Sequence, residues 1–126
     1  MADSPVLSLK DVNQYYGGSH ILRGVSLQAS LGKVTVLLGR NGVGKTTLLK
    51  SIMGLVPIKS GSIEFAGKAI RATTPFERAR AGIGFVPQGR EIFSRLTVEE
   101  NLRMGLAYKS ASTPIPAELF ELFPVL

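Results

Sequence analysis

Cysteine is absent from this sequence of 126 residues, and histidine occurs once, as His20. Without cysteine the chain has no disulfide framework, no thiolate metal site and no cysteine nucleophile. The single histidine excludes a histidine metal cluster. No stretch is apolar and long enough for a signal peptide or a membrane span. These absences predict a cytosolic protein whose association with a membrane depends on a partner.

Long runs of like charge are also absent. Lysine and arginine number 15 against nine aspartate and glutamate residues, which gives a formal net charge of +6. The basic residues are scattered and are not interleaved with the three tyrosines, so the charge indicates a solvated surface and no nucleic-acid partner. With 44% hydrophobic residues, the chain is apolar enough to fold around a core.

Apolar periodicity predicts an α/β domain that opens with two antiparallel strands. Leu7–Val12 and Leu22–Ala29 alternate between apolar and polar residues, and a glycine turn at 17–18 separates them. Lys33–Gly39 is instead a short run rich in apolar and β-branched residues. That pattern is typical of a strand buried on both faces in a parallel sheet.

The remaining elements are predicted from glycine, proline and capping residues, which mark where helices and strands begin and end. A helix is expected from Gly44 to Met53, with an apolar face formed by Leu48, Leu49, Ile52 and Met53. Capping-box spacing predicts a short helix after Thr74 and another from Thr97 towards Tyr108. Further strands are predicted at 61–67 and 83–87, and a last helix after the proline-broken loop at 113–116.

The pattern GxxxxGK[ST] lies between the predicted buried strand and the first helix. Its residues, with the threonine that follows, are Gly39, Arg40, Asn41, Gly42, Val43, Gly44, Lys45, Thr46 and Thr47. Glycines permit backbone angles that let successive N–H groups curl around a phosphate at the positive end of a helix.

In this loop Lys45 is expected to reach the β and γ phosphates of a nucleotide, and the Thr46 hydroxyl to bind Mg²⁺. Thr47 is a further candidate donor to a phosphate. The alternative is a glycine-rich turn whose lysine and threonines are ordinary surface residues. The order of strand, loop and helix favours phosphate binding, because that is the context the motif requires.

Three segments resemble, in the right order, the A-loop, Walker A and Q-loop motifs of ABC transporter ATP-binding subunits: Tyr15–Gly18, Gly39–Thr47, and Val86–Gln88 followed by Leu96–Leu102. The resemblance covers nearly all of the chain from residue 7 onward. It is closest to branched-chain amino acid and urea importers, and nearer to the urea branch on residues 15–20 and 39–43. Ser94 stands where that family usually has proline.

The resemblance implies a P-loop ATPase fold, an α/β core with an antiparallel β edge and the start of a helical subdomain. It implies that Tyr16 stacks on adenine, with Tyr15 as the alternative, and that Gln88 contacts Mg²⁺ or the attacking water. Gln88–Leu102 would face a transmembrane permease subunit. For Tyr16 the alternative is a tyrosine that packs at a strand end, and for Gln88 a glutamine in a turn. For the segment to Leu102 it is a solvated loop before a capped helix.

The same resemblance requires an LSGGQ signature, a Walker B aspartate with its catalytic glutamate, and a switch histidine. None is present, since Asp3, Asp11 and His20 all precede the P-loop. We therefore interpret residues 1–87 as a nucleotide-binding core with A-loop and Walker A. Residues 88–126 are interpreted as the Q-loop and an incomplete helical subdomain, in a truncated or fragmentary ATPase.

The expected function is that of an ABC importer ATPase that couples ATP binding and hydrolysis to uptake of urea or branched-chain amino acids. Its partners would be permease subunits and a second ATP-binding subunit, at the cytoplasmic face of the membrane. Lys45 and Gln88 are the catalytic candidates, although this chain alone is not expected to hydrolyse ATP. The alternatives are a nucleotide-binding module without catalysis, and another P-loop NTPase, against which Val86–Gln88 argues.

Overall fold

A computed structural model describes residues 4–40, 42 and 44–126. The chain divides into two compact units, Met1–Gly84 and Phe85–Leu126. The secondary structure elements, in chain order, are β1 (Pro5–Tyr16), β2 (Ser19–Ser30), α1 (Lys45–Met53), β3 (Ser60–Phe65), β4 (Lys68–Ala69), α2 (Pro75–Ala81), α3 (Val98–Met104) and α4 (Glu118–Leu122). The division into motif-bearing parts at residue 87 stays a prediction.

The first unit is built on a four-stranded sheet with the order β2-β1-β3-β4. All three neighbouring pairs are antiparallel. β1 and β2 form a hairpin in which Tyr16 pairs with Ser19, and Gly17 occupies the left-handed region at φ 57°. The predicted antiparallel opening is therefore confirmed, with both strands longer than the sequence pattern indicated.

The core of this unit lies between the sheet and α1. Leu9, Val12, Leu22 and Ile63 from the strands are at most 4% exposed, and Leu48 and Ile52 from α1 belong to the same buried cluster. Full burial of one such side chain contributes about 1.5–3 kcal/mol, so this cluster holds the helix against the sheet.

Helix α1 has the predicted position, and a glycine in the left-handed region stands at each end. Gly44 precedes it at φ 106° and Gly54 follows it at φ 78°. Leu48, Ile52 and Met53 are buried as expected. Leu49 departs from the predicted apolar face, because it is 47% exposed.

The predicted strand at Lys33–Gly39 is wrong for this structure. Residues 31–40 are all exposed and no part of 33–39 is a strand. Val34 and Leu38 are 92% and 84% exposed. The physical reason is pairing: a parallel strand is stable only between neighbours that satisfy its backbone N–H and C=O groups, and no described segment pairs with this one.

The strand predicted at 83–87 is also absent from the structure, and Val86 is 91% exposed.

The predicted helix starts are confirmed. Thr74 accepts a hydrogen bond from the backbone of Glu77, and Thr97 does the same for Glu100, each within a complete capping box. The second of these helices is shorter than predicted, since it ends at Met104.

The second unit contains α3 and α4, and none of its residues is buried. Its two helices are seven and five residues long. Across the residues that the structure describes, no helix has the length and apolar character needed to cross a membrane.

Candidate functional site

The predicted phosphate loop leads directly into α1, whose first residues are Lys45 and Thr46. Asn41 and Val43 lie outside the described residues. The first N–H groups of an α-helix have no partner within the helix. Gly44 has no side chain to cap them, so the beginning of α1 has the polarity that favours an anion.

Gly44 also lies very close to β2. A Cβ atom built at this position would be 3.2 Å from Leu22 Cδ2 and 3.3 Å from Ile21 Cγ2. Its φ of 106° is in addition one that side-chain-bearing residues rarely adopt. Glycine is therefore required here both for the backbone conformation and for the close approach of the loop to the sheet.

The Lys45 side chain turns back over the loop. Its ammonium group donates hydrogen bonds to the backbone carbonyl of Gly39 and, at 3.0 Å, to that of Arg40. These carbonyls hold the cation at the mouth of the loop. A phosphate that entered the loop would meet a positive charge already placed beside it.

Thr46 is exposed in the first turn of α1, and Thr47 is half-buried. The Thr47 carbonyl accepts a hydrogen bond from the Ser51 hydroxyl at 2.8 Å. The structure thus brings Gly44, Lys45 and Thr46 together at one helix end. It leaves the hydroxyl of Thr46 accessible to a ligand.

The two tyrosines of the predicted A-loop differ in their surroundings. The Tyr15 ring stacks on His20 with centroids 4.1 Å apart, and the Lys59 ammonium lies 4.8 Å from its centroid. Tyr16 is 47% exposed and makes no stacking or cation–π contact within the described part of the chain. Of the two rings, Tyr16 is the one whose face is available.

Tyr16 and the phosphate loop lie towards the same end of β2. Tyr16 pairs with Ser19 at the start of this strand, and Gly44 approaches Ile21 and Leu22 a little further along. A strand rises about 3.3 Å per residue, so three residues span roughly 10 Å. The hairpin therefore places an exposed aromatic ring near the beginning of α1.

Gln88 and the segment to Leu102 belong to the second unit. Gln88 is exposed, and its contact with Mg²⁺ stays a prediction. The Asn101 side chain organises the segment: its Oδ1 accepts from the Phe93 N–H at 2.9 Å, while its Nδ2 donates to the carbonyls of Phe93, Leu96 and Thr97.

Three apolar side chains of this segment are exposed even though its backbone is organised. Ile92, Phe93 and Val98 are 71%, 53% and 55% exposed. Exposed apolar side chains occur along the chain, Val34, Val86 and Val125 among them, so these three do not by themselves mark a protein contact. The side chains of Arg90 and Ser94 are exposed on the same segment.

The described residues contain no group of three or more His, Asp or Glu side chains that could hold a metal ion. At the beginning of α1, the exposed Thr46 hydroxyl is an oxygen that could bind a metal ion together with oxygens of a phosphate and water. Mg²⁺ accepts such an environment, because it keeps several waters and is often bound by one or two protein groups plus substrate phosphates.

Arg78 is an important residue that sequence patterns did not reveal. It is 4% exposed and its guanidinium donates to two carbonyls at the end of α1. Burial lowers the pKa of Arg78 by desolvation. No pattern marks an arginine as buried, since arginine is usually exposed, and a capping box indicates only that a helix begins nearby.

Comparison with known proteins agrees with this architecture. Residues 22–122 match the family model for ABC transporters. The chain is 43% identical, over 79% of its length and 43% of the relative's, to the high-affinity branched-chain amino acid transport ATP-binding protein BraG of Pseudomonas aeruginosa. It is 41% identical, over 74% of its length and 39% of the relative's, to the probable branched-chain amino acid transport ATP-binding protein LivF of Archaeoglobus fulgidus.

Solved structures lead to the same family. A nucleotide-free ATP-binding cassette from an ABC transporter superposes with a TM-score of 0.74 at 31% identity, covering 96% of this chain and 46% of that one. An ABC transporter cassette in its ADP conformation has a TM-score of 0.74 at 30% identity, covering 90% and 48%. The chain thus spans less than half the length of these relatives, and it belongs to the ABC transporter family.

Proposed function

We propose that this chain is the nucleotide-binding part of an ABC importer ATPase, and that it binds Mg²⁺ and ATP through the loop before α1. The observation that carries the proposal is the beginning of α1. There Gly44 packs against β2 in a left-handed conformation, and Lys45 is held by the carbonyls of its own loop.

The proposed ligands are the residues of the loop and the first turn of α1. Backbone N–H groups of residues 39–44 and the α1 N-terminus would surround the phosphates, and Lys45 would neutralise the β and γ phosphates. The Thr46 hydroxyl would bind Mg²⁺ and Thr47 would donate to a phosphate. The metal supplies charge neutralisation of the phosphate oxygens when it is bound.

The test is titration with a fluorescent ATP analogue in the presence of Mg²⁺. Lys45→Ala should lower the affinity at least tenfold, because it removes the cation at the loop. Lys50→Ala is the matched control, since it removes a lysine of the same helix outside the loop, and its affinity should stay within twofold of the parent. Equal binding by Lys45→Ala and the parent would refute the proposed phosphate site.

For the adenine end, we infer that Tyr16 supplies the stacking surface. Stacking tolerates any aromatic ring, so Tyr16→Phe should keep the affinity while Tyr16→Ala loses roughly threefold to tenfold. Tyr15→Ala is the comparison variant, because the Tyr15 ring is already stacked on His20. If Tyr15→Ala lowered affinity and Tyr16→Ala did not, the stacking role would belong to Tyr15.

The segment Gln88–Leu102 is the proposed contact for a transmembrane permease subunit, and Gln88 the proposed contact for Mg²⁺ or the attacking water. Support comes from the Asn101 hydrogen bonds and the exposed Ile92, Phe93 and Val98. A photoreactive group at Arg90 or Ser94 should crosslink to the permease in the assembled transporter. The same group at Lys68, an exposed residue of β4, should not.

We further infer that the substrate class follows the branched-chain amino acid relatives, with urea as the second candidate. The assembled importer would contain two ATP-binding subunits at the cytoplasmic face of the membrane. Uptake of labelled leucine and labelled urea by cells carrying the transporter, compared with cells carrying Lys45→Ala, distinguishes the two solutes.

Binding without turnover is the expected behaviour of the isolated chain. Phosphoryl transfer depends on positioning and charge stabilisation from several sides, and this sequence has no LSGGQ segment, aspartate or histidine after residue 39. Phosphate release by the purified chain should therefore match that of Lys45→Ala. Robust release by the parent alone would show that another residue, such as a glutamate, supplies the missing group.

A further inference from the structure

The end of α1 opposite the phosphate loop is held by Arg78. All five N–H groups of its guanidinium are engaged: Nη1 donates to the carbonyls of Ser51 and Ile52 at 2.9 and 2.8 Å, Nη2 to those of Arg71 and Thr73 at 3.0 and 3.2 Å, and Nε to the Thr73 hydroxyl at 3.2 Å. None of these acceptors is a carboxylate.

The partners of Arg78 on α1 are the carbonyls of the last turn. In general the last carbonyls of a helix accept from no N–H group within that helix, and they form its negative end. Here the Gly54 N–H also donates to the Ser51 carbonyl, at 3.2 Å. A cation with several fixed donors stabilises such an end. Arg78 therefore binds α1 through charge and through directed hydrogen bonds together.

The guanidinium is itself held in place by the segment from which it projects. Thr73 donates its hydroxyl to the Ile70 carbonyl at 2.6 Å, and the Thr74–Glu77 capping box fixes the beginning of α2. Arg78 is thus a rigid link between α2 and α1, and displacement of the arginine would release the end of α1.

The other contacts of α1 do not replace this link. Leu48 and Ile52 pack into the apolar core, and apolar contact is not directional. It holds the helix against the sheet but allows sliding and rotation. Directed hydrogen bonds to Ser51 and Ile52 oppose both movements, because they weaken steeply with distance and angle.

Movement at the Arg78 end of α1 displaces the phosphate loop at the other end, because a short helix moves as a rigid rod. The nine residues of α1 span roughly 13 Å, so a few degrees of tilt at Ile52 move Lys45 by about 1 Å. A displacement of that size is enough to misplace groups that must converge on a ligand.

We propose that Arg78 is a positioning residue for the phosphate loop: it fixes α1 along its axis and thereby places Lys45 and Thr46. The inference rests on the proposed nucleotide binding. It also states that Arg78 fixes α1 when no nucleotide is bound. It concerns how the site is held, since Arg78 lies at the end of α1 away from the loop and its donors are used by four backbone carbonyls and one hydroxyl of this chain.

Gly54 offers a way to move the guanidinium without changing Arg78. A Cβ atom at this glycine would lie 2.9 Å from Arg78 Cζ and 3.1 Å from its Nε and Nη1. Gly54→Ala should therefore push the guanidinium away from the α1 carbonyls. Gly67→Ala is the matched control, because its φ of 79° is nearly that of Gly54 at 78° and nothing lies within 4 Å of its Cβ position.

Arg78→Lys is the second variant, and Arg71→Gln is its control. Lysine keeps the charge but loses the planar set of donors. Arg71 also donates to three backbone carbonyls, but these belong to Ile58, Lys59 and Gly61 and not to α1. A cavity of about 270 Å³ adjoins Arg78. Water can therefore reach the backbone carbonyls to which the shorter lysine side chain no longer donates.

The first measurement is amide hydrogen exchange without nucleotide. The Leu48 amide donates to the Gly44 carbonyl at 2.8 Å in the first turn of α1. Gly54→Ala and Arg78→Lys should speed exchange at Leu48 and Leu49 at least tenfold, with amides of the β1–β3 pair within threefold of the parent. Unchanged rates at Leu48 and Leu49, or an equal effect in Gly67→Ala and Arg71→Gln, would overturn the proposal.

The second measurement is the affinity for the fluorescent ATP analogue, corrected for the folded fraction of each variant. A positioning role predicts a loss of threefold or more in Gly54→Ala and Arg78→Lys, and of less than twofold in the two controls. Unchanged corrected affinity in both variants would show that Arg78 acts on stability alone. If the parent itself failed to bind the analogue, the proposed function would fail while the exchange rates still decided the role of Arg78.

Discussion

Residues 5–16 and residues 33–39 both carry apolar side chains typical of a strand, yet only the first segment is a strand and places side chains in the core, among them Leu9 and Val12. β1 has β2 on one side and β3 on the other, both antiparallel. The second segment has no strand partner among the described residues, and Val34 is 92% exposed. The comparison shows that β-propensity produces a strand only where neighbours complete its hydrogen bonds.

The largest expected difference between the two segments is in hydrogen exchange. Backbone N–H groups bonded between β1 and β3 should exchange about 10³-fold more slowly than those of residues 33–39, because they open only with the core. Exchange measured residue by residue on the chain without ligand tests this. Similar protection of both segments would show that residues 33–39 have a partner in solution.

Truncation of one apolar side chain beside β1 and one within residues 33–39 should lower the free energy of unfolding by different amounts; Ile63 of β3 is the register partner of Leu9 in β1. Ile63→Ala should lower the free energy of unfolding by about 2–5 kcal/mol, because Ile63 is 1% exposed in the core. Val36→Ala, at a side chain that is 70% exposed, should change it by less than about 0.5 kcal/mol. Urea denaturation of both variants provides the measurement. A large effect at Val36 would contradict the comparison.

Close approach of the backbone within the sheet predicts a further difference in stability, between two glycine variants. A Cβ atom at Gly61 would lie 2.4 Å from the Asp11 carbonyl oxygen, where β1 has a register irregularity between Lys10 and Asn13. Gly61→Ala should cost about 2–3 kcal/mol more than Gly67→Ala, since residue 67 has open space and only the left-handed backbone strain of about 1–2 kcal/mol. Equal midpoints in urea would exclude a close contact.

The smallest loss of stability is expected at the capping box of α2, where the two bonded residues are only three positions apart in the chain. Thr74→Ala removes the side-chain oxygen that accepts from the Glu77 N–H at 3.2 Å, and should lower stability by about 1 kcal/mol. Thr74→Ser keeps this oxygen and should stay within a few tenths of the parent. Thermal unfolding monitored by circular dichroism compares the two. A loss in the serine variant as large as in the alanine variant would argue that the cap contributes little.

These contrasts explain which predictions from sequence were confirmed. The β1–β2 hairpin, the beginning and end of α1 and both capping boxes depend on residues close together in the chain, and all were predicted at nearly the observed positions. The strands predicted at 33–39 and 83–87 were wrong, because each needs neighbours that the local pattern does not specify.

The candidate site divides in the same way. The phosphate loop was predicted from the GxxxxGK[ST] spacing and from its position between a predicted strand and a predicted helix; the helix is confirmed and the strand at 33–39 is not. The contact of Gly44 with Ile21 and Leu22 and the stacking of Tyr15 on His20 required the folded hairpin. The second of these gives Tyr15 surroundings different from those of Tyr16, while the stacking of Tyr16 on adenine stays a prediction.

By itself the sequence determined the GxxxxGK[ST] motif, the helix that follows it and the family to which the chain belongs, because each is encoded by residues at short, fixed spacing. Only the tertiary structure decided that Arg78 is buried and bonded to the last turn of α1, and that residues 33–39 are exposed. Both depend on which segments meet across long stretches of chain. Burial and hydrogen-bond pairing are properties of that arrangement, since the same residue types are buried or exposed according to their neighbours.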